Sequence, residues 1–159
     1  MKRIAPFIMI LIFILCFNAY SIDKKQLNGG WLAEGNYKRL KNNDEFFTTS
    51  IRILNIDNSS YYYFPGSVLI NVFAEKPYIK INHELEFEIL KLKQMQDNIF
   101  LLEVQDKHDS NSTGQFQITF LDNKCIIIEI KDGNAVFQKN IRFMTLGKDY
   151  KYYLIGKVK

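Results

Sequence analysis

The sequence predicts an all-β protein, an antiparallel up-and-down meander closing into a barrel of about eight to ten strands. Three observations predict it. Apolar residues recur with a period of two along most of the chain. Turn residues break these runs at short intervals, and a helical period competes in one stretch only. Closure would also remove the edges through which strands this rich in Ile and Phe aggregate.

The chain opens with MKRIAPFIMILIFILCFNAYS, in which Lys2 and Arg3 precede the apolar run of residues 7–17 and the small residues Ala19 and Ser21 flank Tyr20. This order is that of a secretory signal peptide cut after Ser21, and the expected location is secreted or periplasmic. The alternatives are a retained membrane anchor, for which the run is short, and lipidation of Cys16, against which Leu15 stands where a small residue is required. Membrane attachment is expected only in those two cases. Processing leaves residues 22–159 as one β-barrel domain with Cys125 as its sole thiol, so no internal disulfide can form. Loss of Lys2 and Arg3 takes the formal charge from +4 to +2. No basic block offers a nucleic acid a groove.

Strands are expected at residues 31–38, 46–54, 61–64, 67–74 and 78–82. In HELEFEILKLK the phase changes: Leu85, Phe87 and Ile89 alternate one way, Leu90 and Leu92 the other. A β-bulge near Ile89 and Leu90 accounts for it; a helix carrying Leu85, Ile89 and Leu92 on one face is the alternative. Residues 99–105 follow as a strand. In QFQITF, Phe116, Ile118 and Phe120 face inward, and Ile126, Ile128 and Ile130 continue the set, so Phe120 opposes Ile126 across the odd-length loop Asp122-Asn123-Lys124. Asp132-Gly133 suits a type I′ hairpin turn. It sets Ile130 against Ala135 and sends a strand on through Phe137, Ile141 and Phe143; residues 150–158 complete the series.

The only tryptophan lies in LNGGWLAEGNY, at the head of the first strand. Gly29-x-Trp31 there resembles the Gly-x-Trp motif of the lipocalins and their calycin relatives. The resemblance implies that Trp31 plugs the closed end of a barrel, that Gly29 lets the chain enter tightly, and that Arg142 stands for the family's late-strand arginine packed across the Trp. The register above puts Arg142 opposite Ile141 and Phe143, so it would reach Trp31 only around the barrel's end or through a bulge at Lys139-Asn140. From the residues alone, Trp31, Ala33, Gly35 and Tyr37 share one face, a large ring followed by small residues that permit curvature.

Catalytic chemistry is sparse. His83 and His108 are the only histidines, without metalloprotease spacing, nucleophile elbow or phosphate loop. Asp106, His108 and Asp109 read as a solvated loop rather than a metal site, and Glu84, Glu86 and Glu88 as the wet side of a strand. Cys125 reads as a small buried group. Asn58 and Asn111 head glycosylation triplets, used only by a host with that machinery. No cofactor, metal or enzymatic activity is expected.

Two functions follow. In the first, the barrel binds a small hydrophobic ligand lined by Tyr37, Phe87, Phe116, Ile118, Ile128, Phe137 and Phe143, residues that would equally build a solid core. In the second, a packed barrel of the cell envelope works through protein–protein contacts, with the cluster Tyr61, Tyr62 and Tyr63 as the recognition surface.

Overall fold

The computed structural model describes residues 22–42, 66–82, 84–141 and 151–156. Eight antiparallel strands close into a barrel in strict chain order: β1 (Gly29–Ala33), β2 (Ser67–Asn71), β3 (Tyr78–Ile81), β4 (Leu85–Gln96), β5 (Ile99–Asp106), β6 (Thr113–Asp122), β7 (Cys125–Gly133) and β8 (Lys151–Gly156). Two helices, α1 (Glu34–Lys41) and α2 (Ala135–Ile141), accompany them.

Alternation decides the inside. Phe100, Leu102 and Val104 of β5 are buried while the residues between them are half-exposed, and β6 repeats this with Phe116, Ile118 and Phe120. Phe120 opposes Ile126 and Ile118 opposes Ile128, as the equal-parity argument requires. The turn differs in detail: Asp122 pairs with Cys125, and the register shifts between Phe120 and Asp122. Leu121 is thus a bulged residue, 51% exposed, and the bulge restores the parity that a two-residue turn would otherwise reverse. The bulge expected in β4 is also present, as a register shift between Ile89 and Lys91. Leu90 points into solvent there, while Phe87 and Ile89 before it are buried and Leu92 after it packs against the core.

Two expected strands are corrected. Residues 31–38 leave the sheet at Ala33, and Tyr37 lies on α1. Glu34 opens that helix and pairs with Lys38 one turn on at 2.8 Å, and Lys38, Arg39 and Lys41 fill its last turn; charges in this order complement the helix dipole. Gly35 is therefore a helical residue, not a point of strand curvature. The second correction follows Asp132-Gly133. These residues still pair with β6 instead of forming a hairpin turn, and Ala135–Ile141 is helical. Asn134 starts it, its Oδ1 accepting the Phe137 N–H at 2.9 Å. Ile130, expected inside, is 38% exposed. The expected strands at 46–54 and 61–64, and Arg142 and Phe143, lie outside the described residues, as do residues 1–21.

The barrel has two distinct ends. At one, residues 22–28 cross beneath the strands, with a 3₁₀ turn at Lys24–Gln26. Ile22 and Leu27 join the core, and the Ile22 N–H donates to the Asp97 carbonyl at 3.2 Å. This is the closed end; the turns 72–77, 97–98 and 123–124 share it. The open end carries α1, α2 and the loop 107–112.

Candidate functional site

The interior is the candidate site, and its two halves are built by two aromatic groups. At the closed end Trp31 meets Phe120 edge to face with ring centroids 5.9 Å apart, and Phe120 meets Phe100 in the same way at 5.9 Å. The Trp31 indole N–H donates to the Leu27 carbonyl at 3.1 Å, so the ring buries its only polar atom with a partner. A Cβ on Gly29 would stand 2.6 Å from the Gly156 carbonyl oxygen and 2.8 Å from a Leu154 methyl. Glycine is what lets β1 approach β8 this closely. Trp31 and Gly29, which carry the resemblance, both lie on β1.

At the open end Phe87, Phe116 and Phe137 form a triangle with centroid separations of 5.5, 5.5 and 5.6 Å. Phe137 enters from α2, outside the strand series. Its ring occupies a socket formed by Gly114 and Gly133, which pair across β6 and β7; a Cβ on either glycine would overlap the ring. Asn134 fastens the helix above this socket. Its backbone N–H donates to the Thr113 carbonyl at 3.0 Å, its side-chain amide donates to the Asn111 carbonyl at 2.5 Å, and the Gln138 amide donates to the Gly133 carbonyl at 2.8 Å.

Of the lining residues expected from sequence, the structure brings together Phe87, Phe116, Ile118, Ile128 and Phe137, each 0% exposed. Tyr37 stands apart. It lies outside the barrel, stacked on Tyr153 at 4.7 Å with the Lys41 ammonium 5.7 Å from its ring centre. Sequence reasoning missed Phe100, Leu102 and Val104 as lining residues, although the alternation of β5 exposes them. It also missed Tyr152, buried opposite Ile126, and the glycine socket.

The remaining polar candidates make local contacts. Asp106 Oδ1 accepts the His108 N–H at 2.9 Å and Asp109 Oδ1 the Asn111 N–H at 3.0 Å, which turns the loop locally. Among the described residues no three His, Cys, Asp or Glu side chains cluster as metal ligands. Glu86 lies on the outer face between Lys80 at 3.1 Å and Lys107 at 2.8 Å. Burial alone would raise its carboxyl, but hydrogen bonds from the two lysines outweigh that and hold it below its ordinary value. Cys125 is 4% exposed; burial pushes its thiol up, against a hydrogen bond with Tyr153 that lowers it. A raised pKa makes a weak nucleophile. His83 lies outside the described residues.

On the outside, an open hollow of about 460 Å³ runs past Leu90, Glu103, Gln115, Asp132 and Asn134. A second, of about 470 Å³, lies at the closed end beside Ile22, Asn98, Leu121 and Asn123. No protein-family model and no curated protein matches this chain. A solved structure similar to it is that of Treponema pallidum Tp0751 (pallilysin), with 9% sequence identity, a TM-score of 0.49, and coverage of 92% of this chain and 97% of that one.

Proposed function

We propose that the protein is a non-enzymatic, exported β-barrel of the cell envelope that works as a packed scaffold, making protein–protein contacts through the loops of its open end. One observation carries this reading: the interior is occupied by the protein's own rings. Trp31, Phe100 and Phe120 fill one half and Phe87, Phe116 and Phe137 the other, all between 0% and 1% exposed. An eight-stranded barrel is just wide enough for its side chains to fill, and rings of this size use that width. In sequence, Tyr61, Tyr62 and Tyr63 fall between α1 and β2, and amphipathic rings of this kind suit recognition.

The test pairs two measurements. Native mass spectrometry of the purified protein, before and after denaturation, should show no small-molecule adduct. A photo-crosslinker at Tyr62 should trap a protein partner in intact cells, and adding Tyr61→Ser/Tyr63→Ser to the crosslinker-bearing chain should abolish the trapped band. A reproducible apolar adduct, with no trapped partner, would reverse the reading.

A second reading has its own observation in favour. Phe137 is the one interior ring of these six that a helix supplies, so it can withdraw without breaking a strand ladder. A small hydrophobic ligand would then take its place between Phe87 and Phe116. Titration with fatty acids or similar apolar probes, followed by hydrogen exchange at α2, tests it: binding should speed exchange there, and unaltered exchange at saturation would dismiss it.

A further inference from the structure

We propose that Asp106 and Ser112 form an ammonium site at the mouth of the barrel, so that a small molecule taking the place of Phe137 is an apolar stem with a cationic head. This rests on the second reading above, in which Phe137 withdraws from its socket, and adds the head group to it. The register places both side chains. Asp106 is the last residue of β5 and stands directly opposite Phe87 of β4, so the two share the inner face. It also continues the buried series Phe100, Leu102 and Val104. Beyond the pair of Gln105 with Thr113 the β5–β6 ladder gains one more bond, the Asp106 N–H donating to the Ser112 carbonyl at 2.8 Å. Ser112 precedes Gly114 by two residues, and a Cβ on Gly114 would point into the Phe137 ring. By alternation Ser112 therefore faces inward as well. Asp106 is 5% exposed and Ser112 0%. With Phe87 they form one inward row at the mouth, directly above the row of Val104 and Gly114.

The chemistry of the two groups names the head. Carboxylates are seldom buried without a cation, yet among the described residues no Lys, Arg or His side chain pairs with Asp106. The hydrogen bond that its carboxylate accepts comes from the His108 N–H at 2.9 Å. Ser112 Oγ is buried with no hydrogen-bond partner among the described residues, which native interiors rarely tolerate. Both side chains accept hydrogen bonds, and one is anionic. An ammonium brings three donors and a positive charge, and the Phe87 ring in the same row adds attraction for a cation. A divalent metal fits less well, since calcium takes about six to eight oxygens and no three His, Cys, Asp or Glu side chains cluster among the described residues. A guanidinium would bring five donors to two acceptor groups. A fatty acid would set its carboxylate against that of Asp106. The rows below the mouth carry Val104, Phe116 and Leu102, all apolar, so the head stays at the mouth and the stem runs inward between Phe87 and Phe116, over Gly114.

The experiment compares n-hexylammonium, n-hexanol and hexanoate, which share a stem and differ in the head. Each is titrated by calorimetry at neutral pH into the purified protein and into its Phe137→Ala variant, whose socket is open from the start; Phe137→Val replaces it if circular dichroism shows that the alanine variant is unfolded. The amine should bind the variant about tenfold tighter than the alcohol, with hexanoate weaker still. Adding Asp106→Asn should erase the difference between amine and alcohol, and adding Ser112→Ala should reduce it. Equal binding of the three probes to the open-socket variant, or an amine preference that survives Asp106→Asn, would overturn the proposal and leave the withdrawal of Phe137 standing. The expected order in the variant with no binding to the native chain would support the site and dismiss the withdrawal instead. A lysine side chain carries the same head, so Nα-acetyl-lysine methylamide is titrated alongside. Binding of this amide as tight as that of hexylammonium would assign the site to a protein partner and overturn the small-molecule occupant.

Discussion

Two glycines and one ring define the open half of the interior at the scale of single residues. Gly114 and Gly133 leave the space that Phe137 fills, so the three positions are energetically one unit. Gly114→Ala forces a methyl against the ring and should cost about 1–3 kcal/mol, the range for overpacking. Phe137→Ala should cost about 3–5 kcal/mol through lost burial and the cavity left behind. In the double variant the alanine methyl enters vacated space, so the two losses should sum to well more than the measured total. Urea denaturation of the four proteins checks this, and strict additivity would show that the ring does not sit in that socket. Cys125 makes a different kind of statement. Folding raises its pKa above the ordinary 9.0 because burial disfavours the thiolate. The folded state therefore holds the proton more tightly than the unfolded one. The stability this contributes is complete below the ordinary thiol value and is lost as pH rises through the raised one. At pH 8 native Cys125 should resist iodoacetamide while the urea-unfolded chain reacts, as peptide mass mapping would report; equal rates would mean that the thiol is open to solvent.

At the scale of elements, the structure shows where a period of two is informative and where it misleads. β6 and β7 were legible because Phe116, Ile118, Phe120, Ile126 and Ile128 must share a face, and only one pairing parity allows it. The bulge at Leu90 was legible for the same reason, since a phase change within one strand has few physical causes. Phe137 and Ile141 misled because a spacing of four is even: it places two side chains on one face of a strand and on one face of a helix alike. What distinguishes them is Asn134, an N-cap residue directly after Asp132-Gly133. Likewise Ala33 ends β1 where Glu34 begins a helix whose charges follow the dipole, a signal masked by the small-residue alternation around it. The socket for Phe137 had no local signature, because it exists only once β6, β7 and α2 are assembled. The cap yields a prediction at this scale. Asn134→Ala removes the hydrogen bond to the Phe137 N–H along with the tie to Asn111, and should cost about 0.5–2 kcal/mol. Hydrogen exchange should accelerate across residues 135–141 and leave β5 unchanged; acceleration spread evenly over the barrel would mean that the cap is not specific to the helix.

Across the whole molecule, stability is distributed unevenly between the two ends. At the closed end the stretch Ile22–Asn28 is tied to Asp97 and Gln94, and the Asn98 amide donates to the Phe120 carbonyl at 3.0 Å. Toward the open end the pairing thins: among the described residues β7 meets β8 only through Cys125–Ile127, beside the closed-end turn. Among the described residues, the other edge of residues 128–133 has no strand partner. The helix that covers this region is a seven-residue segment held through Phe137, Ile141 and Asn134. Elements with few ties open in sub-global steps, below the free energy of complete unfolding. Native-state hydrogen exchange should therefore show α2 and residues 128–133 opening at lower free energy, with a shallow denaturant dependence, while Phe100, Leu102 and Ile118 exchange only on global unfolding. A substitution at each end separates the steps. Phe120→Leu loosens the closed-end cluster, which stays packed when α2 opens, so it should lower the global value by about 1–2 kcal/mol and leave the α2 value unchanged. Phe137→Ala acts on a ring that leaves its socket in the opening step, and should lower both values together. If both substitutions lower both values equally, the barrel opens as one unit. If they separate as described, the end proposed to carry the recognition loops is also the end that yields first, and a partner bound there would tighten α2 without disturbing the strands beneath.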